Sequence, residues 1–161
     1  MPESDPVAAA RERLLATECD TIEAVLDAAD AIAAGAEDTA AAAWFRLDDG
    51  RPATSDREAV VPELRKELAE RGLLHELPGL LTTAVDAAGY ELAARPVPAP
   101  PYVAVTSTGP VLRGTVPGGR LVVRIDCFAV VRGVESAGEN GVAYARASTV
   151  PETALSVSLE Q

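Results

Sequence analysis

The chain has 161 residues with 25 acidic groups against 14 basic ones, giving a formal net charge of -11. That length supports one ordinary core and excludes two large independent domains, so residues 1–161 are expected to form a single domain. No apolar run is long enough to cross a bilayer, and the opening MPESDPVAAARERLL is acidic and polar where a signal peptide is basic and then apolar. A cytoplasmic protein with no membrane partner is expected.

Among the 14 basic residues only Lys66 is a lysine, Ile occurs only at positions 22, 32 and 125, and Asn140 and Gln161 are the only amides. Acid excess, scarce lysine and small apolar side chains look like the haloarchaeal style, in which carboxylates keep the surface hydrated while molar salt screens charge over about 3 Å, so a haloarchaeal source is expected.

The first long helical segment runs from Val7 to about Ala34, with Leu15, Cys19, Ile22, Leu26, Ala29 and Ala33 on one face. Ser4 and Asp5 before Pro6 supply the start, and Gly35 the stop. Asp20, Glu23, Asp27 and Asp30 form a solvated stripe beside that face. A shorter helix is predicted over Thr39 to Leu47, followed by a turn at Asp48, Asp49 and Gly50. Ser55 to Glu58 has the spacing of a capping box. Pro62 forces a restart, and Leu64 and Leu68 mark an amphipathic helix ending at Gly72. A last helix is expected from near Pro78 to Gly89. Residues 1–93 are thus read as an acidic helical half.

Residues 94–101, ARPVPAPP, are extended by their prolines and connect the halves. Residues 102–161 read as a β half, with strands at Tyr102–Ser107, Val111–Val116, Leu121 to about Val134, Val142–Ala147 and Ala154–Leu159. A turn at Pro117 to Gly119 places Leu112, Gly114 and Val116 on one face with Leu121, Val123, Ile125 and Cys127, and Arg113 and Thr115 on the other with Val122, Arg124, Asp126 and Phe128. The expected fold is α+β: about four N-terminal helices packed on a C-terminal antiparallel meander of four or five strands.

Residues 1–96 hold 20 acids and 9 bases, whereas residues 97–161 hold five of each. The whole acid excess therefore lies in the helical half, and a neutral valine-rich sheet calls for cover, by its own helices on one face and by a second copy or a protein partner on the other.

The motifs of catalysis are missing. Cys127 could pair with His75 as thiolate and imidazole, but it falls on the apolar face of a strand, where a thiol is inert packing, and Cys19 lies on the seam of the first helix. His75, the one histidine, is expected in an exposed link between helices, and no metal-ligand spacing surrounds it. No glycine-rich phosphate cradle opens a helix, so no cofactor and no metal are expected. Pro62 to Arg71 balances Arg65, Lys66 and Arg71 with Glu63, Glu67 and Glu70, which argues against a nucleic-acid partner. The candidate site is Arg113, Arg124 and Asp126 on one sheet face with Tyr102 nearby. It is read either as an internal Arg-Asp-Arg bridge or as an anion or ligand site.

The stretch APPYVAVTSTGPVLRGTVPGGRLVVRIDCFAV, after an acidic helical half, resembles haloarchaeal proteins of a domain of unknown function. That resemblance implies source and solubility class and brings no catalytic motif. Two functions remain open: a non-catalytic interaction or accessory protein that self-associates through the neutral β half, and a small-molecule or anion-binding domain using the sheet arginines. The first needs an exposed apolar sheet face or edge, the second a concave pocket lined by those arginines.

Overall fold

The structure is a computed structural model that describes residues 5–34, 44–134, 141–147 and 149–161. Among the described residues, five α-helices, mostly N-terminal, and two antiparallel four-stranded sheets give the α+β class.

Helix α1 (Pro6–Thr17) starts as its sequence requires, with Asp5 accepting a hydrogen bond from the Val7 N–H at 3.0 Å and Pro6 in the first turn. The expected single helix over 7–34 is two helices. Glu18, at φ -119° and ψ 15°, separates α1 from α2 (Cys19–Ala33). The break re-aims the apolar seam. Ala10 and Leu14 of α1 are buried where α1 packs on α4 and the last strand, while Ile22, Val25, Leu26 and Ala29 of α2 are buried towards α3 and the second sheet. Asp20, Glu23 and Asp27 face water as expected. Ser4 and Gly35, the other expected signals, lie outside the described residues.

The short helix expected over 39–47 is not what the described part shows: Trp44–Arg46 is strand β1, paired with β2 (Pro52–Thr54), and residues 39–43 lie outside the described residues. Trp44 packs against Phe128 at a tilt of 42°, ring centroids 6.0 Å apart. An aromatic pair on a half-buried pleated surface favours strand over helix here. The capping box is replaced by a neighbouring cap. Asp56 accepts from the Glu58 N–H at 2.9 Å and opens a single turn of 3-10 helix at Arg57–Ala59.

Helix α3 (Val61–Glu70) carries Pro62 in its first turn, where no N–H is needed, and buries Leu64 and Leu68. Helix α4 (Leu73–Ala87) begins five residues before the expected start, with Pro78 inside it. Leu73, Leu77, Leu80, Leu81, Ala84 and Val85 form one buried stripe, and burying it outweighs the hydrogen bond that Pro78 cannot donate to the Leu74 carbonyl. His75 therefore sits on the first turn of α4, exposed, rather than in a link.

From residue 88 to 102 the chain is neither helix nor strand, as the prolines require, and the Pro100–Pro101 peptide is cis. Strands β3 (Val103–Val105), β4 (Pro110–Val116) and β5 (Gly119–Ile125) follow, then β6 (Phe128–Val131), β7 (Ala143–Arg146), the short helix α5 (Pro151–Ala154) and β8 (Leu155–Glu160). One sheet runs β3-β4-β5-β8 and the other β1-β2-β7-β6. The β4–β5 register, Leu112 opposite Val123 and Gly114 opposite Leu121, keeps the two expected faces, but the turn is Pro117 and Gly118 alone, because Gly119 already pairs with Val116.

The long strand expected over 121–134 divides at Asp126 and Cys127, so the strands form two sheets where one meander was expected. The loop after β3 makes the division: the Thr108 carbonyl accepts the Cys127 N–H at 2.7 Å and the Phe128 N–H at 2.9 Å. Gly109, at φ 142°, lies against this bend, and a Cβ there would stand 2.0 Å from the Ile125 carbonyl oxygen. The main core lies between the four long helices and the inner face of the first sheet, where Leu112, Leu121, Val123 and Ile125 are fully buried. Phe128 belongs to the same core, and a small alanine cluster, Ala53, Ala143 and Ala145, lies within the second sheet.

Candidate functional site

Alternation along β4 and β5 puts Val111, Arg113 and Thr115 with Arg120, Val122 and Arg124 on the face of the first sheet turned away from the core. β8 adds Ser156 and Ser158 opposite Arg124 and Val122. Val111 and Val122 are buried even on this face, so it presents polar and cationic groups over an apolar floor and no exposed apolar patch. Among the described residues the large apolar side chains that are exposed, Val97, Val130 and Val150, lie far apart in the chain on three different segments.

At the β4 edge the face becomes concave. Tyr102, whose carbonyl accepts the Arg113 N–H at 2.9 Å, extends the β3–β4 pairing by one residue and brings its ring beside Arg113. The connector forms the opposite wall. Leu92 is held over the inner side of Gly114, where a Cβ would meet the Leu92 Cδ2 at 2.6 Å. Ala93, Ala94 and Pro101 complete a cavity of about 260 Å³ whose polar lining is Tyr102, Arg113, Thr115 and Arg120. No carboxylate lines it.

Two of the four expected site residues, Tyr102 and Arg113, are therefore together in one pocket, and Arg124 and Asp126 are not in it. The expected Arg-Asp-Arg bridge does not form: among the described residues no ion pair within 4.0 Å involves Arg113, Arg120, Arg124 or Asp126. Asp126 is instead governed by burial, which pushes its carboxyl above the ordinary carboxylate value, while the Arg124 charge pulls it back in part. Arg120, absent from the sequence reading, was within reach of it, because a two-residue turn at Pro117 and Gly118 places it opposite Thr115.

The other candidates separate. Burial pushes the Cys127 thiol up to about 12, with the Arg146 charge opposing and Asp126 and Asp30 adding to the rise, so at neutral pH it is a protonated, inert group. His75 stands exposed on α4. Cys19 is partly exposed rather than sealed in a seam, and its thiol is raised by desolvation first and by the Glu23 charge next. No group of three or more potential metal ligands occurs among the described residues.

Arg146 was also missed. It lies on β7 with 6% of its side chain exposed, and donates to Asp30 Oδ1 at 2.7 Å, the Cys127 carbonyl at 2.6 Å, the Leu26 carbonyl at 3.2 Å and the Ala147 carbonyl. Its guanidinium carbon is 6.0 Å from the Phe128 ring centroid. This is an internal clamp between α2 and the bend where the two sheets meet, with its donors spent on the fold. Its only signal in the sequence was a charge inside the apolar run VAYARA.

No curated protein and no solved structure matches the chain. A family match covers residues 8–160, both sheets and the described helices but for the first two residues of α1, and by it the chain belongs to a family described as a domain of unknown function, DUF7988.

Proposed function

We propose that this chain is a non-catalytic binding module of a haloarchaeal cytoplasm that holds a small oxyanion in the pocket formed by Tyr102, Arg113, Thr115 and Arg120. The observation that carries the reading is the lining itself: two guanidiniums and two hydroxyls converge with no carboxylate among them, and neither guanidinium has a side-chain partner among the described residues. Arginine matches oxyanions by paired N–H donors, and such contacts persist in molar salt where longer-range attraction is screened. The lining offers donors and no nucleophile with an adjacent base, which favours holding over turnover. Titration calorimetry with inorganic phosphate in molar KCl tests it. Binding is expected in the parent chain, and loss of roughly tenfold or more in affinity in Arg113→Gln and in Arg120→Gln, with unfolding midpoints unchanged. Equal binding in both variants would remove the pocket from consideration.

Self-association through the neutral β half is the second reading, favoured by β8, which among the described residues ends its sheet and pairs only with β5. A mass measurement in molar KCl decides it: a strict monomer at all concentrations rejects the reading.

A further inference from the structure

The free edge of β8 has a definite hydrogen-bonding pattern. The Asp126 N–H donates to the Ala154 carbonyl at 2.8 Å, so in the observed register the hydrogen-bonded pairs are Arg124 with Ser156, Val122 with Ser158 and Arg120 with Glu160. Alternation then turns the N–H and C=O of Leu155, Val157 and Leu159 away from β5. Leu155 is already engaged: its N–H donates to the Pro151 carbonyl, and its own carbonyl accepts from Arg11 Nε at 3.4 Å. Val157 and Leu159 remain, with no backbone partner on that side among the described residues. No lysine or proline stands anywhere in β8 and no charge before Glu160, although these are the residues that keep an edge from pairing.

Resting on the self-association reading, we propose that β8 pairs with β8 of a second copy, antiparallel about a twofold axis at Ser158, to give one continuous sheet of eight strands. Two registers centred on the strand match outward groups to outward groups. Pairing Val157 with itself calls also on Leu155, whereas pairing Val157 with Leu159 uses only the two residues that remain and makes four hydrogen bonds. The side chains fit that axis. Ser156 to Glu160 reads polar, apolar, polar, apolar, polar from either end, so apolar groups meet on the helix side and polar groups on the outer face. Charge fits as well: Glu160 comes opposite Ser156 of the second copy and two strand spacings, about 10 Å, from the backbone of that copy's Arg124. Within one copy Arg124 has no ion pair among the described residues. The helix packed on β8 is α1, whose charged residues are Arg11, Glu12 and Arg13, so it brings no net negative charge to the axis of an otherwise acidic chain.

Light scattering in molar KCl together with oxidative cross-linking tests this, in a Cys19→Ala background that leaves the buried Cys127 as the one other thiol. The chain is expected to run as a dimer. Ser158→Cys sets two thiols across the axis in a non-hydrogen-bonded pair, with Cα atoms about 4.5 Å apart, and is expected to give a covalent dimer on mild oxidation. Ser156→Cys leaves the two thiols four residues out of step, roughly 14 Å apart, and is expected to give none. Both serines are half-buried, and each variant is expected to keep the parent unfolding midpoint under reducing conditions. A dimer in which Ser158→Cys fails to cross-link, or in which Ser156→Cys cross-links as readily, would overturn the β8 pairing and leave self-association standing. A monomer at every concentration would overturn both.

Discussion

Arg146 takes a full positive charge into a site where its guanidinium is almost wholly out of water, and the fold tolerates this because one carboxylate and three backbone carbonyls receive its donors. Removing it takes away the charged hydrogen bonds that tie α2 to the bend, although the Cys127 carbonyl keeps the Ala147 N–H. Arg146→Met is therefore expected to destabilise the chain by roughly 3 kcal/mol, read by denaturant unfolding in molar KCl. Asp30→Asn is expected to cost less than about 1 kcal/mol, because the Asp30 side chain is 59% exposed and solvent screens the pair. Equal costs would mean that the ion pair, rather than the carbonyl set, holds the clamp. Asp126 sits near the same bend with the opposite problem. Its folded-state pKa is raised above 3.8 by burial, so between the unfolded and folded values the native chain holds more proton than the unfolded one. Stability then falls as pH rises through that window and stays reduced above it. Asp126→Asn is expected to be more stable than the parent at neutral pH, with the difference vanishing below pH about 3.8, and unfolding midpoints measured across the acid range check the sign.

At the scale of elements, the bend between β5 and β6 decides the architecture. The Thr108 carbonyl takes two consecutive N–H groups that would otherwise continue a ladder, and the chain leaves one sheet for the other. Gly109→Ala sets a methyl against the Ile125 carbonyl in a conformation that favours glycine, and is expected to cost roughly 2–4 kcal/mol in denaturant unfolding. A cost under about 1 kcal/mol would show that the loop can lift off the bend without loss. The same bend explains why one strand was expected over 121–134: the run is rich in valine and isoleucine with no proline or turn pair before Gly133, and what interrupts it comes from a loop some twenty residues earlier. Pro78 is the converse case. Local rules place a helix start there, but the buried leucine stripe of α4 begins at Leu73 and carries the helix through. The faces of Leu112 and Gly114 were legible from the alternation on either side of the Pro-Gly-Gly turn, although the turn itself is one residue shorter than expected.

For the whole molecule, the separation of charge is the dominant property. The 25 acidic residues include 20 in residues 1–96, and the α2 carboxylates Asp20, Glu23 and Asp27 stand exposed with like neighbours one turn away. Repulsion of this kind is relieved by screening, so the unfolding midpoint is expected to rise as KCl goes from about 0.1 M to molar concentrations, where the Debye length shrinks from about 10 Å to about 3 Å. Charge reversal by Asp20→Lys with Asp27→Lys is expected to lessen that dependence, and a midpoint indifferent to KCl would contradict the halophilic reading.

The sequence by itself determined the α+β class, the helix start at Asp5 and Pro6, the exposed acidic stripe, the absence of helix and strand from the proline segment and the faces of the β4–β5 hairpin. All of these rest on neighbours within a few residues, where capping, periodicity and turn geometry act. Only the tertiary structure decided that the strands divide between two sheets and that Arg146 is an internal clamp. It alone also placed Tyr102 and Arg113 with Arg120 in a pocket apart from Arg124 and Asp126. Each of those depends on a contact between distant segments: Thr108 with Cys127, Arg146 with α2, the connector with β4. A local pattern constrains which face a side chain occupies, but not which remote segment comes to cover it.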